Sequence, residues 1–154
     1  MIELREISTA NFEECLRLKL TEGQQNFVAS NAYSLAEAYA LRNTGQYTPM
    51  PFAIYHDNQM VGFIMAIYEP DDDEKIYYLA RLMIDQRFQG KGFGKAAMLK
   101  MIELMKTFPY GPAESIVLSC SRDNTAAYNL YTSLGFVDTG EFDADGDVYC
   151  RFSL

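Results

Sequence analysis

Apolar and polar residues alternate through Ile2-Glu3-Leu4-Arg5-Glu6-Ile7, the period of a strand with one buried face. Ser8-Thr9-Ala10-Asn11 then offers several N-cap residues, and Phe12, Cys15, Leu16, Leu18 and Leu20 form an imperfect helical stripe behind them. Ser34-Leu35-Ala36-Glu37 fits a capping box, so a second helix is expected from there toward Arg42, closed by Gly45 and Pro49. Residues 51–55 and 60–68 read as antiparallel strands joined by the turn-prone His56-Asp57-Asn58-Gln59. After Pro70 and the acidic Asp71-Asp72-Asp73-Glu74, the near-continuous apolar run over residues 76–84 suits a strand covered on both faces, hence central in its sheet.

In the second half, Ala96, Ala97, Met98, Leu99, Met101, Ile102, Leu104 and Met105 predict the longest helix of the chain, ending before Pro109. A short strand over residues 115–120 leads to a helix over 124–134, which Gly135 ends. Two final strands, 136–142 and 148–152, flank Asp143-Ala144-Asp145-Gly146-Asp147, where Asp-Gly marks a tight hairpin. No repeat, linker or low-complexity segment interrupts this order. The expected fold is α/β of the α+β type, a single domain over residues 1–154. Its sheet should be mixed and mostly antiparallel, with about six to seven strands flanked by about four helices.

Composition sharpens this picture. A chain of 154 residues that is 49% hydrophobic can bury one substantial core and is short for two. A net charge of -8 disfavours nucleic acid and anionic lipid, and suits a small cationic partner. No run approaches the roughly 18 apolar residues of a membrane span, and Met1-Ile2-Glu3-Leu4-Arg5-Glu6 lacks the order of a signal peptide. The cytoplasm is the expected location. Cys15, Cys120 and Cys150 are odd in number and far apart, which suggests small buried residues in a reducing compartment; no disulfide framework and no metal site are expected.

The candidate chemistry begins at Arg87-Phe88-Gln89-Gly90-Lys91-Gly92-Phe93-Gly94-Lys95, which follows a buried strand and opens a helix. There backbone N–H groups can converge on phosphate oxygens; glycines allow positive torsions and remove obstructing side chains, and Lys91 and Lys95 add charge. The loop suits a diphosphate. Gly92-Phe93-Gly94-Lys95-Ala96-Ala97 also satisfies the dinucleotide pattern G-x-G-x-x-A, although residues 85–89 separate it from the strand in a chain short for that fold. A Walker loop is excluded, since no G-x-x-x-x-G-K-[ST] occurs. On the loop alone, an ordinary glycine-rich turn remains open.

Gln89, Gly92 and Gly94 match the signature Q/R-x-x-G-x-G/A, and Asn124-Thr125-Ala126-Ala127-Tyr128-Asn129-Leu130-Tyr131-Thr132-Ser133-Leu134-Gly135-Phe136 reproduces N-x-x-A-x-x-L-Y-x-x-x-G-F. By these motifs the chain, from residue 51 to its C-terminus, resembles the GCN5-related N-acetyltransferase superfamily. Met60-Val61-Gly62-Phe63, the glycine-rich loop and Gly140-Glu141-Phe142-Asp143-Ala144-Asp145-Gly146 are most similar to bacterial spermine/spermidine acetyltransferases. The resemblance implies acetyl-CoA as donor, its diphosphate held by Gln89, Gly90, Lys91, Gly92, Phe93, Gly94 and Lys95. It implies that the backbone of Leu82, Met83 and Ile84 pairs with the pantetheine arm like an added strand, and that Asn124 contacts the cofactor through its amide. Tyr131 would protonate the departing thiolate, since an ordinary phenol with a pKa of about 10 keeps its proton at neutral pH. Read without the resemblance, Tyr131 is a core aromatic on the face of Ala127 and Leu134, and Asn124 is an N-cap. By analogy alone, a homodimer is allowed.

The implied reaction is direct transfer to a neutral amine, with backbone N–H groups beside Met83 stabilising the oxyanion. His56, the sole histidine, falls in a turn where solvation is expected, which leaves no Ser-His-Asp or Cys-His arrangement. Related polyamine enzymes often carry an acidic residue on the central strand; here the position is Ala80, followed by Arg81, so a strand-borne base is lacking. Glu22, Glu37, Glu69 and Asp85 become the candidate acceptor-binding carboxylates by their nearness to cleft elements. The expected acceptor is a small cationic amine, a polyamine, on whose stem Tyr33, Tyr39, Tyr47, Tyr77 and Tyr78 could stack. Aminoglycosides, amino acids and protein N-termini are alternative acceptors, and a non-catalytic acyl-CoA sensor is a further alternative.

Overall fold

The computed structural model describes residues 1–154. Its elements are β1 (Ile2–Glu6), α1 (Phe12–Arg17), α2 (Asn31–Thr44), β2 (Thr48–His56), β3 (Gln59–Pro70), β4 (Lys75–Ile84), α3 (Phe93–Met105), β5 (Ser115–Cys120), α4 (Thr125–Ser133), β6 (Val137–Phe142) and β7 (Val148–Ser153). Short 3-10 turns lie at Glu22–Gln24 and Gln86–Phe88. The seven strands form one sheet in the order β1-β2-β3-β4-β5-β7-β6. Every neighbouring pair is antiparallel except β4 and β5. β4 is thus the central strand, as its apolar run requires.

Two clusters sandwich the sheet. One joins Met98, Met101 and Met105 of α3 and Tyr131 of α4 to Ile64, Tyr77 and Leu118. The other joins Cys15, Leu18 and Ala38 from the α1 and α2 side to Phe63, Met65 and Met83. β4 serves both: Leu79 faces the first cluster and Met83, four residues on, the second, because one extra residue between them, Ala80, shifts the strand's alternation. The β2–β3 hairpin turns through Asp57 and Asn58, with φ of 48° and 67°, a conformation these short polar residues tolerate. All three cysteines are unpaired and buried.

Three expectations change. The second helix starts at Asn31 rather than near Ser34, because Ser30, extended at φ -61° and ψ 155°, accepts the Tyr33 N–H at 3.1 Å. Ser34 lies inside the helix and donates back to the Ser30 carbonyl at 3.0 Å. At 14 residues α2 outlasts the 13 of α3, contrary to the ranking by apolar content. The first helix spans only 6 residues, since Leu18 turns extended at ψ 138° and leads the chain into a long connection before α2.

The feature that positions the site is a wedge in the sheet. β4 and β5 pair only at Ile76↔Ser115, Tyr77↔Ile116 and Tyr78↔Val117. Beyond Tyr78 the two strands diverge, leaving the β5-facing edge of β4 without a strand. On the other edge Met65 pairs with Arg81 and Ala66 with Leu79, so Ala80 is the extra residue of a β-bulge. Such a bulge bends its strand and strengthens its twist, and here it sits at the mouth of the wedge.

Candidate active site

At the end of β4 the wedge continues into a cavity of about 350 Å³ whose lining includes Leu82, Met83 and Ile84. Gln89, Gly90, Gly92, Phe93, Gly94 and Lys95 close one end of it. The first helical bond of α3 runs from the Ala96 N–H to the Gly92 carbonyl at 3.1 Å, and the N–H groups of residues 90–95 have no backbone acceptor. Gly90 and Gly92 are left-handed at φ 76° and 81°, the torsions that turn these donors toward the cavity at no steric cost. The helix dipole adds positive potential at the same place. Donors, dipole and a side-chain-free approach fit a diphosphate. Lys95 lines the cavity, whereas the Lys91 ammonium lies 5.8 Å from the centre of the Phe88 ring and is absent from the lining.

Gln89 itself points elsewhere. Its amide donates to the Ile84 carbonyl at 2.9 Å and to Gln24 Oε1 at 2.8 Å, and accepts from Gln24 Nε2 at 3.1 Å. Gln24, with Leu20, Phe27 and Val28 from the connection between α1 and α2, walls the cavity opposite α3. The sequence signal at Gln24 is only local, the capping box Thr21-Glu22-Gly23-Gln24; its place in the cavity comes from pairing with a residue 65 positions away.

Tyr131 is 8% exposed. Its hydroxyl makes no hydrogen bond within the chain, yet Arg81 Nε is the only fully buried side-chain polar atom without a partner, so the phenol opens on the cavity. Burial, and secondarily the neighbouring Cys120 and Cys150 thiols, push its pKa up, which holds the proton on oxygen. Asn124 caps α4 by accepting the Ala127 N–H at 3.4 Å and also lines the cavity. Its side-chain NH₂ stays available, so the cap and a ligand contact are compatible.

A second cavity of about 330 Å³ meets the first at Leu82, Asn124 and Tyr131. One wall is the divergent part of β4 and β5, including Tyr78, whose hydroxyl pairs with Ser119 Oγ at 2.8 Å. The other is the β6–β7 hairpin, which presents Asp143, Asp145 and Asp147. Asp143 Oδ1 accepts the N–H groups of Asp145 and Asp147, each at 2.9 Å, which fixes the turn. Burial, followed by the charges of Asp143 and Asp145, raises the pKa of Asp147. Arg81 contributes the cavity's guanidinium: it donates to the Ala80 carbonyl at 2.8 Å and to Glu37 at 3.3 Å, while Nε has no partner.

The four carboxylates chosen from sequence line neither cavity. Glu22 lies in the first turn of a surface 3-10 segment. Glu37 is held by Arg81. Glu69, near the end of β3, is pushed up to about 6 by burial and then by Asp71. Asp85 is 2% exposed and accepts from the Lys19 N–H at 2.9 Å and from Arg87 Nε at 2.8 Å. Burial would raise its pKa, but the hydrogen bonds from Arg87 and Lys19 and the Arg87 charge outweigh it and hold the carboxyl below its ordinary value. Of the five tyrosines, Tyr78 alone lines the second cavity; Tyr77 is core and Tyr39 is 72% exposed. His56 is more than a solvated turn residue: it stacks on Phe93 with ring centres 4.6 Å apart.

A loop of free N–H groups beside an open strand edge, joined to a second cavity by a buried phenol, suits the transfer of a group between two substrates. The acetyltransferase (GNAT) family model matches residues 7–136, and the chain belongs to that family. It is accordingly an N-acetyltransferase that takes its acetyl group from acetyl-CoA. A spermine/spermidine N(1)-acetyltransferase of Bacillus subtilis is 28% identical over 150 residues, 95% of this chain and 94% of that protein. A spermidine N-acetyltransferase of Vibrio cholerae, solved with CoA and spermine, shares the fold with a TM-score of 0.73 at 16% identity over 97% of this chain and 92% of that one. An aminoglycoside acetyltransferase solved with coenzyme A aligns with a TM-score of 0.77 at 17% identity over 99% and 95% of the two chains. No helix is long and apolar enough to cross a membrane.

Proposed function

We propose that the chain N-acetylates a primary amine of a polyamine, spermidine or spermine, by direct transfer from acetyl-CoA. The observation that carries this reading is the row of Asp143, Asp145 and Asp147 in a cavity that meets the donor cleft at Tyr131. Carboxylates spaced along one wall suit a substrate with several ammonium groups on a flexible stem. The Bacillus subtilis relative supports the same class.

Acetyl-CoA supplies an acetyl group activated as a thioester. The free N–H groups of residues 90–95 and Lys95 hold the diphosphate. The open edge of β4 at Leu82, Met83 and Ile84 offers backbone groups to the pantetheine amides and to the oxyanion, and the Asn124 amide adds a side-chain contact. Tyr131 keeps its proton at the junction of the cavities and gives it to the departing sulfur. Among the cavity carboxylates Asp147 has the raised proton affinity suited to receiving the proton of the incoming ammonium. Glu22, Glu37, Glu69 and Asp85 have no part in this scheme.

One observation favours a second reading, an acceptor with a carboxylate beside its amine, such as an amino acid: the unpartnered Arg81 Nε in the acceptor cavity. Release of free CoA should be compared for spermidine, spermine, an aminoglycoside, aspartate and a peptide. Turnover with either polyamine is expected to be fastest, with its KM raised about tenfold by Asp145→Asn with Asp147→Asn, more at low salt than at high. Release with none of the polyamines sinks the assignment.

A further inference from the structure

Residues 20–29 form a wall common to the two substrates. Leu20 and Gln24 face the donor cavity, Asn26 and Ala29 the acceptor cavity, and Phe27 and Val28 both. The segment is tied down just outside its ends: the Lys19 carbonyl accepts the Gln86 N–H at 2.7 Å, and Asn31 Nδ2 donates to the Cys15 carbonyl at 2.9 Å. Between those anchors its internal bonds are local: Gln25 donates to the Leu20 carbonyl, the Thr21 N–H to Gln24 Oε1 at 3.4 Å, the Gln24 N–H to the Thr21 carbonyl and the Phe27 N–H to the Gln24 carbonyl, each of the last two at 3.0 Å. The hydrogen bonds that leave the segment are those of Gln24 with Gln89.

The orientation of this amide pair is fixed from both sides. The Ile84 carbonyl requires the NH₂ of Gln89, and the Thr21 N–H requires the oxygen of Gln24. The two amides therefore meet head to tail, each donating to the other, and join three elements: the end of β4, the diphosphate loop and the shared wall. We propose that Gln24 is a positioning residue that locks the wall of the acceptor cavity to the diphosphate loop, so that a filled donor cleft sets the shape of the acceptor cavity. A bidentate pair resists rotation as a single bond does not. Because Gln24 is part-exposed and outside both core clusters, the coupling is separable from folding.

This rests on acetyl-CoA occupying the first cavity and is independent of which amine occupies the second. Gln24→Glu keeps the size and the Thr21 contact but sets a carboxylate oxygen against Gln89 Oε1; Gln24→Met removes the polar group. Hydrogen exchange of residues 20–29 is followed with and without CoA itself, which needs no acceptor. CoA is expected to slow exchange there about tenfold or more in the wild type and less than about twofold in both variants, with melting temperatures within about 2 °C. With spermidine at saturating acetyl-CoA, acceptor KM should rise about fivefold to tenfold, and because the coupling is reciprocal the acetyl-CoA KM should rise too, by no more than the protection lost. Equal CoA-induced protection in wild type and variants overturns the proposal. Lost protection with no turnover of any polyamine leaves it standing and refutes the acceptor assignment instead.

Discussion

Replacing Tyr131 by Phe removes one oxygen atom from a place where the chain makes no use of it structurally. The hydroxyl has no hydrogen-bond partner within the chain, and the ring keeps its edge-on packing on Phe136, with centres 6.1 Å apart. With no hydrogen bond broken, stability should change by less than about 1 kcal/mol, a shift in Tm within about 3 °C for a domain of this size. The kinetic effect is different in kind. Loss of a general acid costs about a hundredfold at the low end of measured cases, or about 2.7 kcal/mol at 1.36 kcal/mol per factor of ten. Because the proposed role puts the phenol at the donor's sulfur end and not at its diphosphate, acetyl-CoA KM should stay within about twofold. Initial rates of thiol release at saturating spermidine, taken from about pH 6 to pH 10, test this, with a melting curve on the same samples. Since burial lifts the phenol's pKa, the wild type should lose no turnover to phenol ionisation across that range. Undiminished kcat for Tyr131→Phe at every pH would refute the role, as would a loss matched by an equal loss of CoA affinity.

Three further outcomes follow from the geometry. Gly92→Ala forces a side chain into φ 81° although its Cβ would meet nothing within 4 Å; the cost is backbone strain of about 1–2 kcal/mol, read as a lower Tm and a raised acetyl-CoA KM. Asp85→Asn weakens a buried, charge-assisted cluster and should cost about 2–3 kcal/mol in urea unfolding at neutral pH. Because the folded pKa of Asp85 lies below its ordinary 3.8, the wild type's advantage should be present above about pH 4 and fade as pH falls through the folded value. Glu69 has the opposite sign: with its pKa raised from 4.5 to about 6, its contribution is lost as pH rises through that window, so Glu69→Gln should match wild type below pH 4.5 and melt higher above pH 6.

What could be read from sequence was local. The strand at 115–120, the helix after Asn124, the β2–β3 turn and the glycine loop each carry their cause within a few residues, through turn torsions, a cap or an apolar period. Ser34-Leu35-Ala36-Glu37 misled because a capping box is a four-residue pattern satisfied by chance inside a helix, while Ser30 had the right torsions. The acceptor side was illegible for a different reason. It combines residues 26–29, 78–82, 118–121 and the aspartates at 143, 145 and 147, which the crossover of β5 and the return of β7 bring together. Within the sequence those aspartates are simply turn formers; of the carboxylates that looked nearer the site, Glu37 and Asp85 are held by arginines, and Glu22 and Glu69 line neither cavity. The pairing of Gln24 with Gln89 is likewise visible only once the fold closes.

On the proposed reading, the two halves of the site recognise their ligands through different parts of the chain. A sheet edge left open in a protein's interior is ordinarily a hazard, since its N–H and C=O groups invite another strand. Here the open stretch of β4 begins after Tyr78, where pairing with β5 stops, and residues of α4 and the β6–β7 hairpin line the cavities along it. A ligand carrying amides along its length, such as the pantetheine arm, can satisfy that edge as a strand would. Because this contact is made by backbone, the side chains remain free for packing: Leu82 and Ile84 pack against the α3 cluster and Met83 is buried in the other. Their identities therefore report the core rather than the ligand, whereas in the glycine-rich loop backbone torsion itself demands glycine at Gly90 and Gly92. The acceptor cavity has no such backbone rule. Its charges can be exchanged without disturbing the sheet, so on the proposed reading the choice of acceptor rests with Asp143, Asp145, Asp147 and Arg81.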